Sequence, residues 1–238
     1  GFWDYGTGAL GDMGCHIMDA PIKSLGLFEP YSIEASVSNL PYAKSFTPSP
    51  IIEEACPSSS FVTYKFRPSK INDSEVKMTW MDGGLRPSHP DIISDTDDIG
   101  DNGVLMFGEN GLIWCDNYAI NARLYIKGQN GAIEKGEISA INSVEFGHQN
   151  YWIDAIKEGY GSEKHMNLTS NFDFAGPLSE IVLLGNVAIR SSLLKRSPRS
   201  NVFIGRKRLS YDSTNMVITN LDQANQFLTR EYRSGWEI

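Results

Sequence analysis

Residues 103–117 read GVLMFGENGLIWCDN and contain the clearest hairpin pattern in the sequence. Two runs of β-forming residues flank a short Glu-Asn-Gly turn, which is the pattern of a β-hairpin. The strands of a hairpin are antiparallel, because the chain reverses its direction at the turn. The stretch therefore predicts an antiparallel sheet.

Further strand patterns lie on both sides of this hairpin. Alternating apolar and polar residues predict strands at YSIEASVS (31–38), FVTYKF (61–66), EVKMTWMDGG (75–84) and ARLYI (122–126), with short candidates at RLSYD (208–212) and NMVIT (215–219). The proline- and serine-rich residues 41–60 and the acidic residues 85–103 predict loops. A loop as long as the acidic one is expected to be functional or mobile rather than packed.

Helical spacing of apolar residues marks four segments, at residues 8–26, 150–159, 174–194 and 221–233. Pro21 is expected to kink or end the first of these helices. The third has a broad apolar face, made of Leu178, Ile181, Val182, Leu184 and Val187. Because strands and helices do not alternate along the chain, we predict an α+β fold: an open, mostly antiparallel β-sheet with helices packed on one face.

The amino-acid composition and net charge exclude several classes of protein. Of the 238 residues, 41% are hydrophobic and 21% charged, as in ordinary globular proteins. The net charge of −8 disfavours nucleic acid as a partner, and the lack of a run of about 18 apolar residues predicts no membrane span. The odd number and wide spacing of Cys15, Cys56 and Cys115 predict free thiols in a reducing compartment. The cytoplasm is therefore favoured over the periplasm, although any export signal upstream of Gly1 lies outside this sequence.

The stretch GTGALG (6–11) has the glycine spacing of a dinucleotide-binding loop. Such a loop must follow a buried strand and open a helix, so that the helix N-terminus faces the pyrophosphate. Only five residues precede Gly6, three of them aromatic, and Asp12 places a carboxylate directly after the third glycine. The sequence therefore disfavours a nucleotide loop, and the glycines instead predict a close approach of another backbone or a ligand to this helix start.

A possible acid–base group follows these glycines. If residues 8–26 are helical, Asp12, His16 and Asp19 share one helix face. A carboxylate one turn before an imidazole can orient the ring and raise its basicity, as a general acid–base catalyst requires. The alternative is a solvated acidic face with a structural histidine.

The segment GTGALGDMGCHIMDAP (6–21) resembles the start of the C-terminal domain of the Gfo/Idh/MocA oxidoreductases, which carry Asp-x-x-x-His on a helix. The resemblance continues in collinear order over nearly the whole chain, as in one bacterial branch of that family. It rests on WMDGGLRP (80–87), GVLMFGENGLIWC (103–115), GHQNYWIDAIKEG (147–159), SNFDFAGPLSEIVLLGNVAIRS (170–191) and NMVITNLDQANQFLTREYRSGWEI (215–238).

The resemblance implies a two-domain enzyme acting on a sugar, inositol or related polyol. An N-terminal Rossmann domain would hold NAD or NADP, and residues 1–238 would form the single C-terminal domain, similar to that of glyceraldehyde-3-phosphate dehydrogenase. His16 would exchange a proton with the substrate hydroxyl, while Asp12 would orient His16 or bond the sugar. The open sheet face would carry a homo-oligomer interface.

The sequence departs from the family pattern in two ways. It contains no Glu-Lys-Pro motif, which carries the catalytic lysine of the family, and no Rossmann fingerprint in its proper context. We therefore expect the chain to be the substrate half of an oxidoreductase, with the Rossmann domain absent, and to be inactive alone.

Other residues are candidates for substrate contacts. Trp3 and Tyr5 precede the glycines and could stack on a sugar or pack against the other domain; further candidates are Asp19, Tyr118, Arg123 and His148. The acidic residues 95–101 do not match the spacing of an EF-hand, so no metal site is predicted.

Two other functions stay open at this stage. Some relatives of the family use the cofactor to cleave a glycoside, beginning with the same hydride step. A non-catalytic sugar-binding or assembly domain is the other alternative.

Overall fold

The computed structural model describes residues 1–38, 54–134 and 147–236. Its helices are α1 (Gly8–Ile17), α2 (Asp19–Leu25), α3 (Gly147–Glu158), α4 (Glu163–Met166) and α5 (Phe172–Ser191), with two 3-10 helices at Asn117–Ala119 and Asp222–Phe227. Its strands are β1 (Pro30–Ser38), β2 (Ser59–Phe66), β3 (Val76–Met81), β4 (Val104–Phe107), β5 (Gly111–Cys115), β6 (Arg123–Ile126), β7 (Ile133–Glu134), β8 (Leu209–Asp212) and β9 (Val217–Ile218).

The larger sheet has five antiparallel strands in the order β3-β2-β1-β8-β9. Alternation along β2 buries Val62, Tyr64 and Phe66 on one face, as the period of two in a strand requires. These side chains join residues of α1, α2 and α5 in one hydrophobic core. Helices therefore cover one face of this sheet, as the sequence predicts.

Two glycines bring α1 and α5 together. A Cβ on Gly14 would lie 3.0 Å from both γ-methyl groups of Val182, and one on Gly185 would overlap Leu10 Cδ2 and the Tyr64 hydroxyl. The absence of side chains at these two positions lets the helices approach each other and the sheet closely.

The predicted hairpin forms one half of a second, four-stranded antiparallel sheet in the order β4-β5-β6-β7. Leu112, Trp114 and Tyr125 form a separate small core with Ile93, which belongs to the acidic loop. Arg86 fixes this loop through Asp98 at 3.2 Å and the Gly100 carbonyl oxygen at 2.6 Å. The loop is therefore packed through Ile93, contrary to the expectation for its length.

The α+β class is confirmed, whereas the expectation of a single sheet is wrong because the strands divide into two sheets. The predicted helix at 8–26 is divided at Met18, as Pro21 led us to expect.

The prediction of a C-terminal helix at residues 221–233 is wrong. Only a 3-10 helix at Asp222–Phe227 forms there, with Leu221 and Ala224 buried at a spacing of three residues that suits a 3-10 turn.

Part of the predicted loop at 41–60 lies outside the described residues. Within the described ranges, α5 is the one helix long and apolar enough to cross a membrane by length and composition. Half of its most apolar window is buried inside the fold, and residues of α5 such as Ile181 and Leu184 belong to the hydrophobic core.

Candidate functional site

Helix α1 presents Asp12 and His16 on its exposed side. Its opposite side packs into the core through Leu10, Gly14 and Met18, which recur every four residues. Asp12 and His16 are each displaced by two residues from this buried row, or about 200° around the helix axis at 3.6 residues per turn. The pair is therefore held one turn apart on a face that a ligand can reach.

Tyr118 joins His16 at this face. The two ring centroids lie 5.1 Å apart at an interplanar angle of 61°, an edge-on contact. Tyr118 belongs to the 3-10 helix after β5, where Tyr118, Ala119 and Asn121 all have positive φ. Left-handed backbone at such residues costs free energy, and runs of it occur at ligand-binding and catalytic sites. This strained turn brings the second sheet against α1.

The side chains of Asp12 and His16 make no polar contact in the part of the chain that the structure describes: no hydrogen bond or ion pair reaches the Asp12 carboxylate or the His16 imidazole. The orientation of the imidazole by Asp12, a role that the resemblance implied, is therefore not formed here. Asp19 begins α2 and is half-buried, and it likewise has no ion pair among the described residues.

The other predicted substrate residues are scattered. Tyr5 is 91% exposed, and His148 is an exposed residue in the first turn of α3. The Arg123 guanidinium lies over the Trp114 ring at 4.1 Å, so it stabilises the second sheet. Among the predicted substrate residues, Tyr118 is in ring contact with His16. Trp3 lies away from His16, beside a cavity.

A cavity of about 420 Å³ opens at the N-terminal end of α1. The residues around it come from the chain start, α5, β8 and the 3-10 helix at the C-terminal end. They are Trp3, Gly6, Thr7, Glu180, Leu183, Leu184, Asn186, Val187, Arg190, Tyr211, Met216, Phe227 and Leu228. Asp12 and His16 do not line this cavity, so the chain has two separate candidate sites.

Several polar groups of the cavity wall are unusual. Asn186 is only 6% exposed, and neither atom of its side-chain amide has a hydrogen-bond partner in the described residues. The Trp3 indole Nε1 is also buried without a partner. The Tyr211 hydroxyl donates to Glu180 Oε1 at 2.7 Å, and burial together with this carboxylate raises the pKa of Tyr211.

Sequence reasoning missed Asn186, Glu180 and Arg190. Asn186 follows the buried Val182 by four residues, so it is a polar residue on the apolar face of α5. That pattern was the available signal, because a polar side chain on a buried helix face needs a partner.

The glycines of the stretch GTGALG (6–11) lie at the start of α1, and among residues 1–7 Phe2 makes an isolated bridge to Ala55. The glycines allow close packing, with Gly8 against Cys56 and Gly11 against Thr7. The same described ranges contain no group of three or more His, Cys, Asp or Glu side chains that could hold a metal ion.

The three cysteines are free thiols. Cys15 is exposed beside His16 on α1, and Cys115 is buried in the second sheet. Burial raises the pKa of the Cys56 and Cys115 thiols, which favours the unreactive thiol form.

No protein-family model matches the chain, and a search of curated proteins finds no match either. The function therefore rests on the geometry of the two sites and on the sequence motifs.

Proposed function

We propose that this chain is the substrate-binding and acid–base half of an NAD(P)-dependent oxidoreductase acting on a sugar, inositol or related polyol. The observation that carries the proposal is the exposed pair Asp12 and His16 on α1, with Tyr118 against the imidazole. The collinear motifs described above supply the reaction class. The exposed pair and the sequence motifs both involve the same face of α1.

His16 acts as the proton acceptor for the substrate hydroxyl. Its imidazole has no competing hydrogen bond in the described part of the chain, so a ring nitrogen is free to take the O–H proton. The Tyr118 ring restricts the orientation of the imidazole from one side. The Asp12 carboxylate accepts a hydrogen bond from a neighbouring substrate hydroxyl or from the imidazolium that forms.

The hydride acceptor belongs to a different part of the protein under this proposal. Following the resemblance, we assign NAD or NADP to a separate Rossmann domain and expect the 238-residue chain alone to be inactive. The contribution of this chain is confined to binding the substrate and moving the hydroxyl proton.

The test is turnover by the complete protein on a panel of sugars, inositols and polyols, for the wild type and for His16→Ala. Loss of a general acid–base group lowers kcat by about 100-fold or more, so we expect that drop in the variant. His89→Ala is the matched control, because His89 is exposed in the acidic loop and its one hydrogen bond within the described ranges joins Nε2 to the Asp97 carbonyl oxygen, at 2.9 Å.

Equal turnover by His16→Ala and the wild type would refute the assigned role of His16. Circular dichroism of the variant shows whether a loss reflects unfolding. Release of a glycosidic substituent without net cofactor reduction would place the chain in glycoside cleavage instead.

A further inference from the structure

The cavity at the N-terminal end of α1 has the features of a binding site that is distinct from the His16 face. Thr7 borders the cavity and His16 is nine residues further on, so the two lie about 13 Å apart along α1 at 1.5 Å per residue. The volume of about 420 Å³ falls within the usual range of small-molecule pockets.

The buried Asn186 amide requires a partner. It has one acceptor and one double donor, both without a protein partner in the described ranges, and it lines the cavity at 6% exposure. The Trp3 indole N–H adds a second unpaired buried donor in the same wall. Buried polar groups in native proteins are nearly always hydrogen-bonded to protein or to ordered water, so these atoms call for bound water or a polar ligand in the cavity.

The cavity favours an anionic group at one end. Arg190 has no carboxylate within 4.0 Å among the described residues, and its guanidinium lies over the rings of Phe227 at 4.5 Å and Trp3 at 5.6 Å. The N-terminal end of α1 also favours an anion. Gly6 and Thr7 line the cavity, and the first turn of α1 has neither a side-chain cap nor an acidic residue. A helix N-terminus attracts negative charge.

The cavity wall opposite Arg190 limits the ligand to one negative charge and favours hydroxyl groups on it. Glu180 is a carboxylate that lines the cavity, and its Oε1 already accepts from Tyr211, which leaves Oε2 to accept from a ligand. A second negative charge on the ligand would be repelled by Glu180 and by the nearby Asp4, whose charge acts on Arg190. Burial lowers the pKa of Arg190 because it disfavours the charged guanidinium, and a single negative charge on a ligand close by would offset that cost.

The remaining wall suits the carbon skeleton of a sugar. Trp3 and Phe227 provide aromatic faces, and Leu184, Val187 and Leu228 provide apolar surface. Aromatic faces pack on the C–H surface of a sugar ring while hydroxyl groups bond to polar atoms at its edge.

We infer that this cavity binds a hydroxylated monocarboxylate of the sugar-acid class, an aldonate or a uronate. Arg190 and the α1 N-terminus bind the carboxylate, Asn186 and Trp3 Nε1 bond ligand oxygens, and Glu180 accepts from a ligand hydroxyl. The site is independent of the proposed oxidoreductase reaction, since it contains neither Asp12 nor His16.

The test is calorimetric titration of the 238-residue chain with D-glucuronate and with D-gluconate, without any cofactor. Four comparison probes separate the chemistry: D-glucose lacks the carboxylate, acetate lacks the hydroxyls, and glucose 6-phosphate and inorganic phosphate carry a dianion. We expect a sugar acid to bind at least tenfold more tightly than any of the four. No binding of either sugar acid at millimolar concentration would overturn the inference, as would equal or tighter binding of a phosphate.

Arg190→Met removes the charge and keeps the apolar stem over Phe227, and we expect Kd to rise at least tenfold, because hydrogen bonds to charged groups are the strong ones. Arg199→Met is the matched control, since Arg199 is exposed and outside the cavity. The Kd of this variant for the sugar acid is expected to stay within about twofold of the wild-type value. Unchanged affinity in Arg190→Met would place the ligand elsewhere.

Asn186→Leu provides a second readout that loss of folding cannot imitate. Leucine has nearly the same shape and removes two unpaired buried polar atoms, so we expect Tm to be equal or higher while sugar-acid affinity falls at least tenfold. A variant that keeps its Tm and also keeps its affinity would exclude Asn186 from the site and overturn the inference.

Discussion

Tyr64 is the most deeply buried tyrosine of the described residues, and its hydroxyl has no hydrogen-bond partner there. Leaving such a group unpaired costs about 1–3 kcal/mol, so Tyr64→Phe should raise the free energy of unfolding by about 1 kcal/mol. Urea unfolding of both proteins measures this difference. A stability loss in the variant would show that the hydroxyl has a partner in solution.

The same tyrosine predicts how stability changes at high pH. Burial raises the pKa of Tyr64 far above the ordinary value of 10.0, whereas the unfolded chain ionises near that value. A raised folded-state pKa gives stability that is fully present below pH 10 and is lost as the pH rises further, by about 1.4 kcal/mol per pH unit for one group.

Stability measured at pH 9, 10 and 11 should therefore fall less steeply in Tyr64→Phe than in the wild type, since about one titrating group is removed. Parallel curves would mean that Tyr64 does not control the alkaline slope.

Single residues show where sequence reasoning succeeds and where it fails. Asp12 and His16 were identified as candidates from helix spacing and motif, and Tyr118 from its position after the hairpin; the structure brings the rings of His16 and Tyr118 together. Asn186 and Arg190 were missed, because they lie in an apolar helix and become a site only when α1, β8 and the C-terminal segment close around them. Spacing along one helix cannot reveal contacts between distant segments.

The packing of α1 on α5 is the contact between elements that holds the His16 face in place. Gly185 lies where α5 meets Leu10 and Tyr64, and a Cβ there would overlap both side chains. Gly185→Ala is therefore expected to lower the free energy of unfolding by about 1–3 kcal/mol, although alanine is the better helix former.

Gly176→Ala is the matched control in the same helix, because Gly176 is exposed and nothing lies within 4 Å of its added Cβ. Its stability should stay within about 1 kcal/mol of the wild type, since the gain in helix propensity is opposed by the following Pro177. Thermal or urea unfolding measures the stability of the two variants. Equal stabilities would show that the close approach of α1 and α5 at Gly185 does not contribute to stability.

Elements with a strong period were predictable from the sequence. The alternation of β1, β2 and β3 and the apolar face of α5 are each set by one segment and its neighbours, so their type was predicted correctly. The C-terminal segment was not, because a few apolar residues fit both an α-helix and a 3-10 turn, and burial of Leu221 and Ala224 chose the latter.

The described residues form two sheets where the sequence predicted one. Strand patterns specify strands but not their partners, and β8 and β9 reach β1 across a long separation in sequence. The hairpin β4–β5 extends instead to β6 and β7, around a small core of its own. The number of sheets is therefore a tertiary property that local pattern does not determine.

We propose that a homo-oligomer would form through the smaller of the two sheets. Cross-strand pairing aligns four apolar residues across the outer face of the four-stranded sheet: Met106, Ile113, Leu124 and Ile133. The outer face of the five-stranded sheet instead carries polar pairs such as Thr63 with Thr79. An exposed apolar row of this kind favours association, so we propose a dimer through the smaller sheet.

Ile113→Lys is expected to convert that dimer to a monomer, because it places an unpaired charge in the centre of the apolar row. Thr79→Lys on the larger sheet is the control and should remain dimeric. Light scattering at tens of micromolar protein measures both. A monomeric wild type, or a dimeric Ile113→Lys, would contradict the assignment.

Chemical rescue tests whether the His16 imidazole carries the substrate proton. Added imidazole supplies the missing group in solution, so we expect the lost kcat of His16→Ala in the complete protein to rise with imidazole concentration, while the wild type does not respond. A His16→Ala protein that turns over at the wild-type rate, or one that is folded and slow yet unaffected by imidazole, would contradict the claim.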